Sequence, residues 1–303
     1  MLAGRRVAIL AIMLTAVSPS LFKVSDLPVL RLVFWRLMLA TILYAILLMC
    51  RHQRPKWIEV RSGFWGGLPF AGQLVLYAIA VRHTSVANVM VISSLQPLVL
   101  LGIAGPLFSE KPHRSLYRWS ALAIFGAVVA AKSGSSTVDT SLLGDLLALA
   151  GMLTVCLYWA TSKWARTRVA TVPYQLWLTA FATIAVVPAA LISGHGIAPP
   201  VGADWWPALL LASLGGVGHL LLNHAHASVP LPMMGLIYLL NMVLIPGYAW
   251  WLLGEAIGES QALGIGIVLF ALVVVVTRPA GQPASSTGQH RTLDQLRTSG
   301  NGQ

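Results

Sequence analysis

SVANVMVISSLQPLVLLGIAGPLFSE, Ser85 to Glu110, decides how the rest of the chain is read. Coiled as a helix it is long enough to cross the hydrocarbon core of a bilayer. Its ends are small or charged, and one polar cluster, Ser93-Ser94-Leu95-Gln96-Pro97, interrupts it halfway. The same plan returns at Ser228 to Glu255, SVPLPMMGLIYLLNMVLIPGYAWWLLGE, with Tyr238 and Asn241 at the midpoint. A shift of 145 positions carries Ser93 onto Tyr238, Gln96 onto Asn241, Glu110 onto Glu255 and Phe125 onto Phe270. An amide at mid-depth is costly in hydrocarbon, so such groups face a bundle interior or a water-filled path. Using one twice predicts two structural repeats that meet at a shared central site.

Composition sets the solvent. Of 303 residues, 57% are hydrophobic and 10% charged, with a mean hydropathy of +0.76; a soluble domain carries about 25% charged residues. The chain reads as a polytopic membrane protein whose first partner is the lipid bilayer. A net charge of +11 would point to nucleic acid in a soluble protein. Here the basic residues sit in short loops between apolar runs, so they report topology, and no nucleic-acid partner is expected. Cys50 and Cys156 stand singly in or beside apolar segments, which gives no support to a disulfide or a metal pair. Arg5-Arg6 before an apolar run resembles a signal peptide. Ser18-Pro19-Ser20 then runs into Lys23 without a small-residue cleavage pattern, so the first helix is read as uncleaved.

Ten apolar spans are predicted, at roughly 7–23, 31–49, 64–82, 86–108, 117–132, 142–162, 173–193, 205–225, 231–253 and 261–277. Short loops make neighbouring helices antiparallel. With the N-terminus inside, fifteen basic residues fall on the inner side; Lys23, Arg31, Arg82 and Lys132 fall outside, and Arg36 lies within a span. That bias places both termini in the cytoplasm of a cell whose inner membrane holds the chain. Ten spans divide into two sets of five, and an odd number per set forces the sets into opposite orientations. The expected fold is therefore all-α and integral to the membrane: ten transmembrane helices as two inverted five-helix repeats, 1–135 and 140–278. A Pro-, Gly-, Ser- and Gln-rich tail, 279–303, reads as disordered. Met13-Leu14-Thr15 recurs as Met152-Leu153-Thr154, Lys23 as Lys163 after one gap, and His83-Thr84-Ser85-Val86 as His226-Ala227-Ser228-Val229.

With Phe34-Trp35-Arg36-Leu37-Met38-Leu39-Ala40, Tyr77-Ala78-Ile79-Ala80, Gln96-Pro97-Leu98, Phe108-Ser109-Glu110, Gly144-Asp145-Leu146-Leu147-Ala148-Leu149 and Leu253-Gly254-Glu255, the chain resembles the drug/metabolite transporter superfamily in its EamA-like branch. The resemblance covers about 5–278. It implies a ten-helix carrier of small metabolites, often an exporter, with a central cavity and alternating access. The first-half motif departs from the family's usual Leu-Gly-Glu, because Phe108-Ser109-Glu110 stands there. The eighth span ends unusually rich in His.

Several side chains are candidates for the cavity. Gln73 and Tyr77 share one face of the third span, Ser93 and Gln96 one face of the fourth, and Tyr238 and Asn241 one face of the ninth. They would hydrogen-bond substrate; the plainer use is to join helices, worth about 0.6 kcal/mol per bond in membranes. His219, Asn223 and His226 recur on one face of the eighth span, without the acid or Cys a metal site needs. No metal or cofactor is expected; a titrating histidine or a hydrogen-bonded one remain the readings. Of the tryptophans only Trp159, with Trp35 and Trp177 after it, lies deep enough to consider for the cavity, the others lying near span ends where aromatic belts form. Arg36 is an anchor for a substrate carboxylate or a residue that snorkels to the interface. Pro97 and Pro246 are hinge candidates. Gly102, Gly105, Gly126, Gly264, Gly266, Gly215, Gly216 and Gly218 allow close helix packing, or a seam between two copies.

All nine acids fall in loops, tails or span ends, so the mid-membrane carboxylate on which a cation–proton antiporter depends is missing. A carrier of nucleotide sugars or phosphates would want more cavity cations than Arg36 and Lys23. The expected function is secondary transport, chiefly export, of small neutral or zwitterionic metabolites such as amino acids, without catalysis by the chain. An intramembrane enzyme acting on lipid-linked substrates and a non-transporting scaffold are the alternatives.

Overall fold

A computed structural model describes residues 2–52, 54–84, 86–110, 113–131, 141–194 and 196–277. The expected tail, 279–303, lies outside the described residues, as do Lys132, Asp139 and Asp294. Among the described residues the chain is helical, without strands. Among the described residues eight helical spans are long and apolar enough to cross a membrane: Ala3–Val24, Val29–Cys50, Trp57–His83, Asn88–Phe108, Leu142–Arg166, Thr171–Ile192, Gly202–Ala225 and Leu231–Leu253. A ninth apolar helix, Glu259–Val275, is shorter. The segment expected as the fifth span is a helix at Arg114–Ala131, but it opens on Arg114 and Arg118 and falls outside that set. The fold is thus that of a multi-pass membrane protein.

Several spans are broken where the sequence places a polar or ring-closed residue. The first divides into α1 (Leu2–Thr15) and α2 (Ser18–Val24), with Pro19 in the opening turn of α2, where a missing N–H costs nothing. Val29–Cys50 is α3 and Trp57–His83 is α4. The fourth span divides into α5 (Val86–Ser94) and α6 (Gln96–Phe108), and α7 is Arg114–Ala131. Leu142–Arg166 is α8 and Thr171–Ile192 is α9. The next comprises α10 (Trp205–Leu210), a π-turn at Leu211–Gly215, and α11 (Gly216–Ala225). The ninth divides into α12 (Leu231–Tyr238) and α13 (Asn241–Leu253), and α14 is Glu259–Thr277.

The main packing pairs are α4 with α8 and α9, α3 with α9, α1 with α11, α6 with α12, and α7 with α14. Exchanging the first five segments for the second five maps several of these pairs onto pairs that also touch: α4 on α8 becomes α11 on α1, while α3 on α9 and α7 on α14 map onto themselves. Small residues set the approach. A Cβ on Gly63, Gly66 or Gly67 would collide with Trp177, Tyr174 or Leu178, so α4 lies directly against α9. Gly264 meets Gly126 and Ala130 in the same way, and Gly218 meets Thr15 and Ala11. Gly102 and Gly266, expected to do likewise, face open space.

The second half is pinned to the first at its start. Ser141 caps α8 by accepting the Gly144 N–H at 3.1 Å, and its hydroxyl donates to the His83 carbonyl at 2.6 Å. Asp145 accepts from the Thr84 hydroxyl at 2.7 Å and from Asn88 at 3.2 Å. Outward, apolar side chains such as Ile46, Leu107, Ile184 and Phe270 stay exposed, as contact with hydrocarbon requires. Inward, Tyr44, Phe70, Tyr158, Trp159 and Tyr174 are fully enclosed.

Candidate functional site

α3, α4, α8, α9 and α11 surround a connected set of polar groups in the interior. Tyr158 on α8 donates to Asn223 Oδ1 on α11 at 3.2 Å, and Asn223 Nδ2 donates to Gln175 Oε1 on α9 at 2.6 Å. Tyr44 on α3 donates to the Gly216 carbonyl at 2.7 Å, where the π-turn hands over to α11. Ser162 and Tyr174 share a hydrogen bond of 2.8 Å. Tyr158, Tyr174, Gln175 and Asn223 are wholly buried. At this depth water cannot substitute for a lost partner, so helices are held by pairing that has no competitor.

Other buried polar groups stand beside these, and Gln175 Nε2 itself makes no hydrogen bond among the described residues. Arg36, on α3, is only 6% exposed. Among the described residues there are two ion pairs and neither involves it; its guanidinium lies over the Phe22 ring, 5.7 Å from the centroid. The His219 ring packs on Phe70 at 4.8 Å and Tyr158 at 6.4 Å, and its buried Nδ1 makes no hydrogen bond among the described residues. His226 is 1% exposed, with neither ring nitrogen hydrogen-bonded among those residues. Its ring stacks edge-on to Trp159 at 5.3 Å, and Trp159 does the same to Tyr238 at 5.4 Å. An unsatisfied buried polar group costs about 1–3 kcal/mol.

Gln96 and Asn241 take matching places. Each opens the second half of its broken span, Gln96 at the start of α6 and Asn241 at the start of α13. Both are buried, at 1% and 7% exposure, and Gln96 Nε2 makes no hydrogen bond among the described residues. The breaks themselves are tightened by short-range bonds, Leu95 N–H to Ile92 O at 3.1 Å and Leu240 N–H to Ile237 O at 3.0 Å. Pro97 follows its break, in the first turn of α6, whereas Pro246 lies inside α13, well past the break at Leu239-Leu240. Gln73 and Ser93 are half-buried, Tyr238 likewise, and Tyr77 is 45% exposed. Gln175, Tyr158 and Tyr44 were not singled out from sequence. A lone amide within an apolar run, as in VPYQLW, is the same signal that flagged Gln96. Among the described residues no three His, Cys, Asp or Glu side chains gather as a metal site would require.

The two span-end glutamates are built alike. Ser109, after α6, and Gly254, after α13, both turn left-handed, with φ of 54° and 69°. The next N–H in each case reaches back to close the helix, Glu110 to Ala104 O at 3.2 Å and Glu255 to Ala249 O at 3.3 Å. Each carboxylate then meets a lysine at the end of another span. Glu110 pairs with Lys163 at 2.5 Å, the two side chains 18% and 12% exposed. Glu255 pairs with Lys23 at 2.7 Å, the two 47% and 58% exposed. Glu110 also accepts the Leu231 N–H at 2.9 Å, and Lys163 donates to the Val229 carbonyl at 2.9 Å, tying α6 and α8 to the start of α12. Sequence alone matched Lys163 to Lys23 as repeat counterparts and counted it among the inner-side basic residues, without naming Glu110 as its partner. A left-handed backbone costs a residue with a Cβ about 1–2 kcal/mol. Ser109→Gly should therefore raise stability by about 1 kcal/mol and Gly254→Ser lower it similarly, read as opposite shifts of thermal unfolding in detergent.

The sequence pattern of the EamA-like transporter family matches the chain twice, over residues 3–131 and 142–277. The chain belongs to the EamA-like transporter family. Its two matched stretches divide the EamA fold where α7 ends and α8 begins, so this is a two-repeat membrane transporter. A crystal structure of another protein, 17% identical, superposes with a TM-score of 0.76 and covers 90% of this chain and 96% of its own. At that identity the likeness is one of fold. No curated protein matches the sequence.

Proposed function

We propose that this EamA protein is a secondary transporter of small neutral or zwitterionic metabolites, amino acids among them, working by alternating access and chiefly as an exporter. The observation that carries the reading is Arg36, enclosed at 6% exposure without a carboxylate partner among the described residues. A substrate carboxylate would supply that partner, since a guanidinium holds a carboxylate by two parallel hydrogen bonds. Gln96, His219 and Asn241 would take the remaining polar groups, and Trp159 with Tyr238 an apolar side chain. The halves are read as inverted repeats of five spans each, ten in all, with both termini on the cytoplasmic side of the inner membrane. The swap-invariant packing pairs and the bias of basic residues support this. Ion pairs of the same construction at two different span ends, one enclosed and one open, are what an alternating carrier uses to close each side in turn.

The test is uptake and efflux of a metabolite panel in proteoliposomes, with and without a pH gradient. Zwitterionic amino acids should move, and their methyl esters should not. Gln96→Ala combined with Asn241→Ala should reduce the initial rate at least tenfold with normal insertion. An unchanged rate in the double variant would remove both amides from the substrate path.

A further inference from the structure

Where α3, α8, α9 and α11 end on the basic face of the bundle, a hollow of about 560 Å³ opens. Its polar lining is Arg51, Arg166, Thr171 and His224, and Leu220 and Leu221 line it as well. Two guanidinium charges share this space, and among the described residues no acidic side chain lines it. Arg166 spends two of its five donors on the Asn223 and Val169 carbonyls, which fixes the plane of the guanidinium. Arg51 follows the last turn of α3 with its side chain exposed. Thr171 and His224 lie 3.3 Å apart across the mouth of α9. α9 is 22 residues long and starts here, and Ala170 gives it no side-chain cap; Pro173 has no N–H and Tyr174 bonds Ala170 O, so the Thr171 and Val172 N–H groups are left for another acceptor.

We infer that this hollow binds the phosphate of an anionic phospholipid from the surrounding leaflet, with an acyl chain lying along Leu220 and Leu221. Two uncompensated arginines and an uncapped helix start match a phosphodiester in charge and in acceptor count. The apolar lining decides the source: a soluble phosphate would leave Leu220 and Leu221 wet, whereas a lipid covers them. Basic pockets between helix ends on the positively charged side of a membrane protein suit this ligand. The site is separate from the interior around Arg36 and stands or falls independently of transport.

Thermal unfolding of the purified full chain in detergent, titrated with phosphatidylglycerol, phosphatidylcholine or inorganic phosphate, tests it. Phosphatidylglycerol should stabilise at least tenfold lower concentration than phosphatidylcholine. Arg51→Ala, a change at an exposed side chain, should weaken the phosphatidylglycerol effect about fivefold, and Arg51→Lys should keep most of it. Arg166 is left intact because it also holds the α8–α11 contact. Equal response to the two lipids, or wild-type preference in Arg51→Ala, would overturn the site. Inorganic phosphate that saturates the shift and displaces the lipid would overturn the lipid as its occupant.

Discussion

Arg36→Met should stop transport and at the same time make the protein harder to unfold. An enclosed guanidinium with no carboxylate among the described residues has given up its hydration without an ionic partner in return. Replacing buried charge by an apolar side chain of similar length is commonly neutral or stabilising, by about 1–4 kcal/mol. The substrate loses the most: truncating one side of a buried charged hydrogen-bonded pair costs about 2–5 kcal/mol, or roughly 30-fold to several thousand-fold in affinity. Thermal unfolding in detergent and initial rates in proteoliposomes give the two readings. A destabilised Arg36→Met would mean that the charge holds the helices rather than the substrate. Wild-type transport in the variant would end its role as an anchor. Arg36→Lys should keep charge and lose the two-pronged geometry, leaving measurable but weakened transport.

Glu110→Gln should cost far more than Glu255→Gln although the two sites are built on one plan. Removing one member of an enclosed pair strands the other, at about 3–5 kcal/mol; Lys163 and Glu110 are 12% and 18% exposed. Lys23 and Glu255 are 58% and 47% exposed, and pairs so open contribute about 0.2–1 kcal/mol. Glu110→Gln also leaves Lys163 with the Val229 carbonyl and the Phe108 ring, while an amide oxygen can still accept the Leu231 N–H. A double-mutant cycle on Lys163 and Glu110 should give a coupling of more than about 1 kcal/mol, insensitive to salt, and the exposed pair a small one that fades above about 0.15 M. Equal losses at the two sites would show that enclosure is not what separates them. If the enclosed pair also closes one side of the carrier, Glu110→Gln should speed leak of substrate through it.

Length and hydropathy are local quantities, and they told the eye where helices run. The duplicated midpoint at Gln96 and Asn241 announced two repeats, because a shift of one copy onto the other needs no coordinates. The break beside Gln96-Pro97 was legible for the same reason: proline chemistry acts on its own neighbours. The shorter last apolar helix and the arginine-led α7 were less so, since a run's apolar length and its helical length differ by the charges at its ends.

Pairing was beyond local reading. Asn223 meets Gln175 across 48 positions, Tyr158 across 65, and Tyr44 finds Gly216 across 172. Sequence alone could place Lys23 and Lys163 at the ends of spans and Glu110 and Glu255 at the ends of others, and so determine that charge is repeated with the fold. Only the tertiary structure decided that each lysine meets a glutamate, and that one pair is enclosed while its twin stands open, because burial belongs to the neighbours a helix acquires and not to the residues it carries.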